Sequence, residues 1–224
     1  MPVSGPIRVL IAEDQGLLRA SLVALLEAEE DMSVVATAVE GGQAVDLCVR
    51  LRPDVVLMDI QMPGISGIEA TARICADPAL AGTRVLILTM FGVDDYVMGA
   101  LRAGASGFLL KDTDPQSLVD AVRTIHAGQS LLSPQVLERL VAGGVSRPSG
   151  SDWTAVGRLT PRQREVLTLV ARGLSNSEIE AELSITRATC RSHMTALLSR
   201  LGARDRAQLV IAAYEAGLVT ASPS

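Results

Sequence analysis

The sequence predicts an open, doubly wound α/β sheet followed by a small all-helical domain. Over the first 127 residues, five short and almost wholly apolar runs alternate with helical patterns, as in a parallel sheet that helices cover on both faces. A stretch rich in Gly, Ser and Pro, GGVSRPSGSDW, begins at residue 143 and has the composition of a linker.

The formal charge of the chain also changes sign between its two parts. Residues 1–145 carry ten Lys and Arg against eighteen Asp and Glu, a net of −8, and residues 146–224 carry ten Arg against seven acids, a net of +3, which suggests two domains with different partners.

The five apolar runs are the predicted strands, and their continuous hydrophobicity indicates burial on both faces. They are Ile7–Ala12, Ser33–Ala38, Asp54–Asp59, Arg84–Thr89 and Gly107–Lys111. Helices are expected at Leu17–Glu29, Gln43–Leu51, Ile68–Ala76 and Val93–Ala103. A fifth helix is expected after Asp114-Pro115, because an acidic cap and a proline in the first turn favour a helix start.

The last part of the chain has three helix starts in which a cap residue precedes Glu or Gln by three positions. These caps are Thr160, Ser175 and Asp205. The segments Ser175–Leu183 and Thr186–Leu201, joined at Ser184-Ile185, would form a helix-turn-helix. We therefore expect the α/β domain at residues 1–127, a linker at 128–157 with one short helix after Ser133-Pro134, and the helix-turn-helix domain at 158–224.

Composition excludes several classes of protein. Apolar residues make up 48% of the chain, which supports folded cores and excludes disorder throughout. The cysteines Cys48, Cys75 and Cys190 are too few and too scattered for a disulfide framework, so we expect buried free thiols. No apolar run approaches the ~18 residues of a membrane span, and the N-terminus lacks a signal-peptide pattern. We expect a cytoplasmic protein without a membrane partner.

Polar residues occur at the carboxyl ends of four predicted strands. Glu13 and Asp14 follow the first strand, Asp59 ends the third, Thr89 the fourth and Lys111 the fifth. In an open α/β sheet, ligands bind in the crevice beyond these ends. Three carboxylates that meet there require a cation, and carboxylate oxygens with water suit Mg²⁺. With the metal bound, Asp59 can attack a phosphoryl group whose oxygens Lys111 and Thr89 bind.

The first part resembles the receiver domain of response regulators, over about Ile7 to Ala127. The resemblance rests on the acidic pair after the first strand, the run DIQMPGISG that begins at Asp59, Thr89, and FLLK ending at Lys111. It implies that Asp59 accepts phosphate from a sensor histidine kinase and that Lys111 binds the acylphosphate.

The same resemblance implies roles for the remaining residues of this site. Glu13 and Asp14 would hold Mg²⁺, and Thr89 with Phe108 would form the switch pair that reports phosphorylation. Two alternatives stay open from the residues alone: Asp14 can cap the following helix, and Phe108 can be an ordinary core residue.

The last part resembles the LuxR-type DNA-binding domain of the NarL/FixJ family, over about Leu159 to Val219. The matching runs are LTPRQREVLTLVARGLSNSEIEAEL and ATCRSHMTALLSRLGARDRAQLV. By this resemblance the second helix of the helix-turn-helix lies in the major groove of promoter DNA. Its DNA-binding side chains would be Arg187, Arg191, Ser192, His193 and Thr195.

The two resemblances imply a bacterial two-component response regulator, not an enzyme, whose phosphorylation controls dimerisation and sequence-specific DNA binding. A homodimer of the phosphorylated form and a contact with RNA polymerase are further implied. One rival is an aspartyl-phosphate phosphatase of the haloacid-dehalogenase type, but such enzymes need a second aspartate where this chain has Gln61. A second alternative is a regulator that has both domains but whose regulation is independent of phosphate.

Overall fold

A computed structural model describes residues 5–90, 99–129 and 154–219 of the chain. The chain divides into two compact units, residues 1–131 and 132–224, and each unit is described by itself. Part of the helix predicted at Val93–Ala103, and the whole short helix predicted after Ser133-Pro134, lie outside the described residues. Within the described ranges, no helix has the length and hydrophobicity that a membrane crossing needs.

The first unit is built on a five-stranded parallel sheet with the strand order β2-β1-β3-β4-β5. Its strands are β1 (Ile7–Ala12), β2 (Met32–Ala38), β3 (Val55–Asp59), β4 (Arg84–Thr89) and β5 (Gly107–Leu110). The chain runs outward from β1 to β2 and then returns past β1 to β3. The carboxyl ends of β1 and β3 therefore border the switch point where open α/β sheets bind ligands. The predicted fold class is confirmed.

Helices cover both faces of this sheet. They are α1 (Gly16–Glu27), α2 (Gly41–Leu51), α3 (Gly67–Ala76), helical residues at 99–102, and α4 (Pro115–His126). Along β1, Val9 and Ile11 pack in the core beside α1 and α4, whereas Leu10 and Ala12 pack in the core beside α2 and α3. Because alternate residues of a strand face opposite sides, burial of both faces requires the continuous apolar runs seen in the sequence.

The five strands and helices α1, α2 and α3 begin and end within two residues of their predicted bounds. Helix α2 begins at Gly41, two residues before the predicted start at Gln43. A Cβ at Gly41 would lie 2.4 Å from the backbone oxygen of Ile65, so this close approach requires glycine. Strand β5 ends before Lys111, because the Thr113 N–H donates to the Leu110 carbonyl at 3.0 Å and starts a turn. A 3₁₀ turn at Pro78–Leu80 has no counterpart among the predicted elements.

The second unit is entirely helical within residues 154–219. Its helices are α5 (Thr154–Gly157), α6 (Pro161–Ala171), α7 (Asn176–Glu182), α8 (Arg187–Leu201) and α9 (Arg206–Glu215). The predicted caps are confirmed: Thr160 and Ser175 form complete capping boxes, and Asp205 accepts the Gln208 N–H at 3.2 Å. Helix α5 lies at the end of the predicted linker, 128–157, and was not among the predicted helices; its residue Val156 is buried.

The turn between α7 and α8 contains a residue in the left-handed conformation. Ser184 has a φ of 50°, which costs a residue with a Cβ roughly 1–2 kcal/mol. This conformation reverses the chain within the four residues that separate the two helices, 183–186.

Ser184→Gly is expected to stabilise the helical unit by ~1 kcal/mol, because glycine adopts this conformation without steric cost. Urea unfolding followed by far-UV circular dichroism measures the change. The matched control is Ser199→Gly, the same replacement at an exposed position inside α8, which should lower the free energy of unfolding. A Ser184→Gly variant less stable than the parent would contradict this account of the turn.

Candidate functional site

The loop after β1 brings two acids to the carboxyl edge of the sheet. Glu13 is fully buried and Asp14 is exposed. The backbone N–H of Gln15 donates to Glu13 Oε1 at 3.2 Å. Helix α1 begins at Gly16, and its cap residue Gln15 makes no side-chain capping bond. Asp14 is therefore not the helix cap, and its carboxylate is available to a ligand at the sheet edge.

Asp59 ends β3 beside these acids and is only 3% exposed. Lys111 Nζ lies 2.8 Å from Glu13 Oε2 and 2.9 Å from Asp59 Oδ2, so one ammonium group bridges two carboxylates. The other Asp59 oxygen, Oδ1, accepts the backbone N–H of Gln61 at 3.3 Å. Carboxylate oxygens of Glu13, Asp14 and Asp59 all lie within 4.8 Å of one another. We call Glu13, Asp14, Asp59 and Lys111 the acidic pocket.

The acidic pocket contains more negative than positive charge, and burial and neighbouring charges together shift the pKa values of Glu13 and Lys111. Burial raises the pKa of Glu13; the Lys111 hydrogen bond opposes this, and the Asp59 charge adds to it. Burial alone would lower the pKa of Lys111, but its hydrogen bonds to Glu13 and Asp59 more than offset that effect and raise it.

The same pocket has the donor chemistry of a site for a hard divalent cation. Glu13 Oε2 is buried, and its partner is the Lys111 ammonium at 2.8 Å. Three carboxylates therefore converge in a pocket that contains one ammonium group. Mg²⁺ prefers such oxygen ligands, one or two carboxylates with the rest of its shell supplied by water. The pocket can bind a metal ion of this type.

Thr89 and Phe108, the predicted switch pair, occupy different environments. Thr89 ends β4 and is 6% exposed, and the β3–β4 register places it one residue beyond the partner of Asp59. The backbone N–H of Lys111 donates to the Thr89 carbonyl at 2.8 Å, so these residues share one edge of the sheet. Phe108 is half-buried against the core beside α2 and α3. Met90, which follows Thr89, is 60% exposed.

Two residues that the sequence analysis did not single out hold the acids in place. Arg19 Nη1 donates to the backbone oxygens of Glu13 at 2.6 Å and Asp14 at 3.2 Å. Gly67 begins α3 so close to β3 that a Cβ would lie 1.9 Å from the backbone oxygen of Asp59. The GISG turn marks Gly67 in the sequence, whereas an arginine in the first turns of an amphipathic helix has no comparable signature.

The thiols differ in burial. Cys48 and Cys190 are buried free cysteines as predicted, whereas Cys75 is only half-buried. Burial raises the pKa of Cys48 to about 12 and also raises the pKa of Cys190. Both thiols are therefore protonated at neutral pH and poor nucleophiles.

Helix α8, the second helix of the helix-turn-helix, has a clear exposed face. Arg187, Arg191, Ser192 and Thr195 are exposed, and His193 is half-buried at its border. The opposite side is buried through Cys190, Leu197 and Leu201. All the residues expected to contact DNA thus lie on one helix, and the four exposed ones occupy its solvent-facing side.

Comparison with known proteins matches both units. The response regulator receiver domain family matches residues 9–123, and the family described as bacterial regulatory proteins, luxR family, matches residues 157–213. Transcriptional regulatory protein LiaR of Bacillus subtilis (strain 168) is 39% identical over 213 residues, which cover 95% of this chain and 99% of LiaR. DesR of the same organism is 36% identical over 211 residues, which cover 94% of this chain and 98% of DesR. The crystal structure of a LuxR-family two-component response regulator from Aurantimonas sp. SI85-9A1 has a TM-score of 0.56 and 34% identity, and the match covers 63% of this chain and 100% of that one.

The parallel sheet with an acidic pocket at its switch point defines a receiver domain, and the α7–α8 pair defines a DNA-binding helix-turn-helix. With both family matches, the chain belongs to the two-component response regulators that carry a LuxR-type DNA-binding domain. This class regulates transcription, so the resemblance found in the sequence is confirmed. A receiver joined to such a domain implies a histidine kinase and promoter DNA as partners.

Glu13→Gln is expected to stabilise the metal-free protein by about 1 kcal/mol at neutral pH, because one buried like charge is removed while Lys111 keeps Asp59 as its partner. The pKa of Glu13 is raised in the folded chain, so ionising Glu13 opposes folding at neutral pH. The gain should therefore shrink as the pH falls toward the ordinary glutamate value.

Urea unfolding in EDTA at several pH values measures this difference. The matched control is Glu30→Gln, which removes an exposed charge from the same unit and should leave the free energy of unfolding within ~0.5 kcal/mol. A Glu13→Gln variant that is destabilised at neutral pH would contradict this expectation, because it would show that pairing with Lys111 outweighs the cost of burying the Glu13 charge beside Asp59.

Proposed function

We propose that Asp59 accepts a phosphoryl group from a sensor histidine kinase and that this phosphorylation controls dimerisation and sequence-specific binding to promoter DNA. The observation that carries the proposal is the position of Asp59 at the switch point, buried within 4.8 Å of two further carboxylates and paired with Lys111. We assign residues 1–127 to the receiver, 128–157 to the linker and 158–224 to the DNA-binding domain.

In the proposed reaction, a carboxylate oxygen of Asp59 attacks phosphorus, and the bond from phosphorus to the donor breaks as the acylphosphate forms. Lys111 already lies 2.9 Å from Asp59 Oδ2 and neutralises charge on the transferred group. The Thr89 hydroxyl binds another phosphoryl oxygen and, with Phe108, reports the change to the rest of the receiver.

Glu13 and Asp14, with Asp59, would hold Mg²⁺ in this pocket. The bound ion supplies electrostatic screening between the carboxylates and the incoming phosphoryl oxygens. Arg19 and Gly67 support the geometry, since they fix the backbone from which Glu13, Asp14 and Asp59 project.

For the helical domain, we propose that α8 enters the major groove of promoter DNA. Arg191 lies one turn into α8 on the exposed side, where a guanidinium can reach guanine edges. Arg187 begins the helix, where side chains more often meet phosphates. Ser192, His193 and Thr195 would complete the contacts. A single helix-turn-helix offers few base contacts, so we propose a homodimer on paired half-sites, with RNA polymerase as a further partner.

Asp59 is expected to be the sole phosphorylation site. Incubation with acetyl phosphate and Mg²⁺, followed by intact mass measurement, should show one added phosphoryl group in the wild type and none in Asp59→Asn. Asp77→Asn, which removes a half-buried aspartate that caps a 3₁₀ turn, is the matched control and should be labelled normally. Chelation of Mg²⁺ should abolish labelling. Persistent labelling of Asp59→Asn would contradict the assignment, and an unlabelled wild type would favour regulation independent of phosphate.

Phosphorylation is expected to shift the chain from monomer to dimer. Sedimentation velocity with and without beryllofluoride, which mimics the phosphoryl group on aspartate, measures the change. The dimer should form only with beryllofluoride, and Asp59→Asn should remain monomeric under both conditions. An unchanged sedimentation coefficient and unchanged DNA affinity in the wild type would refute control by dimerisation.

Arg191 and Arg187 are expected to contribute differently to DNA binding. Loss of a bidentate base contact in Arg191→Ala should cost ~1–3 kcal/mol and relax preference at one base pair. Loss of a phosphate contact in Arg187→Ala should weaken all duplexes alike and reduce the slope of log K against log salt by about one. Binding measured at several salt concentrations against a selected site and its single-base changes separates the roles. Equal weakening of every sequence by Arg191→Ala would make Arg191 a backbone anchor.

A further inference from the structure

A half-buried arginine joins α9 to the helix-turn-helix. Arg206, the first residue of α9, donates from Nη2 to the backbone oxygen of Leu174 and from Nη1 to Asn176 Oδ1 at 3.0 Å. Leu174 lies in the turn before α7, and Asn176 is the first residue of α7. Burial lowers the pKa of Arg206. Both of these donor groups have partners within the protein. Arg206 differs in this respect from Arg187 and Arg191 of the same domain, which are exposed.

The same asparagine also contacts the proposed recognition helix. The Cys190 thiol, buried on the inner side of α8, lies 3.8 Å from the backbone oxygen of Asn176 at hydrogen-bonding geometry. Asn176 therefore contacts α8 through its backbone oxygen and α9 through its side-chain oxygen. We call Leu174, Asn176, Cys190 and Arg206 the Asn176 junction. It connects both helices of the helix-turn-helix and α9 at one point.

We propose that Arg206 is a positioning residue for sequence reading, one that sets the orientation of α7 and α8 through Asn176 without itself contacting DNA. The inference rests on the proposed DNA-binding function of α8. Base readout requires several side chains of one helix to meet base edges simultaneously, so a small rotation of α8 removes them together. Phosphate attraction is less sensitive to such a rotation, because it acts over several ångströms and carries no sequence information.

Salt dependence separates this role from the ordinary role of an arginine in a basic domain. A phosphate-binding arginine releases a counterion, so its loss lowers affinity for every duplex and reduces the salt slope by about one. A positioning arginine affects only the selected sequence and leaves the slope unchanged. A residue that merely stabilises the fold lowers the melting temperature and leaves affinity unchanged where the domain is fully folded.

The experiment uses the full chain with beryllofluoride and two probes: the tightest duplex obtained by in vitro selection with the wild type, and a scrambled duplex of equal length. Arg206→Gln should weaken binding to the selected duplex ~10-fold or more, because two hydrogen bonds from a charged group are lost. Its affinity for the scrambled duplex should stay within about twofold and its salt slope should not change. Arg206→Lys, which keeps the charge and one donor, should recover part of the loss. Arg172→Gln, at an exposed position, is the control for loss of one positive charge.

A second variant keeps the proposal testable if Arg206→Gln does not fold. Asn176→Ala removes only the side-chain acceptor and should weaken the selected duplex as well. The double variant Asn176→Ala/Arg206→Gln should bind no more weakly than Arg206→Gln alone, since both changes break the same link. A reduced salt slope for Arg206→Gln, equal weakening of both duplexes, or affinity unchanged below the melting temperature would each overturn the proposal. A wild type that selects no duplex would overturn the proposed function itself.

Discussion

The repulsion among three carboxylates at the sheet's switch point is the constraint on which the rest of the receiver depends. Glu13, Asp14 and Asp59 meet within 4.8 Å, and the only cation paired with them among the described residues is Lys111. Burial raises the pKa of Glu13, and the Asp59 charge adds to that rise, because two like charges at such separations disfavour ionisation of one another. The pocket thus retains a net negative charge that one divalent cation would neutralise.

The scaffold keeps these acids together against their repulsion. Parallel strands β1 and β3 are adjacent in the sheet, so their carboxyl ends hold Glu13 and Asp59 at a fixed distance. Arg19 binds the backbone of the acid loop, and Gly67 lets α3 pack directly on the end of β3. Both cores of the sheet are apolar and closely packed, and such interiors resist the shifts that would separate the acids. The core therefore supplies the rigidity that the pocket requires.

Much of the fold and the pocket could be predicted because their signals are local. Continuous apolar runs follow from burial on both sheet faces, and the caps at Thr160, Ser175 and Asp205 follow from the hydrogen bonds a helix start needs. The acids could be placed together because the ends of parallel strands share one edge.

In contrast, Arg19 and Arg206 act through backbone oxygens of residues 5 to 32 positions away. No sequence period marks such contacts. Helix α5 was missed for a related reason: a single helical turn has no periodicity, and its place in the fold depends on burial of Val156.

The central claim is that the acidic pocket binds one divalent cation through its carboxylates. Its most direct test is chemical unfolding of the wild type and Asp14→Asn across MgCl₂ concentrations up to about 50 mM, with NaCl at matched ionic strength as the reference. A ligand that binds only the folded state stabilises it by RT ln(1 + [L]/Kd). Asp14 is exposed, so its replacement leaves the core intact. The account predicts that Mg²⁺ stabilises the wild type in a saturable manner and stabilises Asp14→Asn far less at every concentration. An identical response of both proteins, or no response beyond that of NaCl, would contradict it.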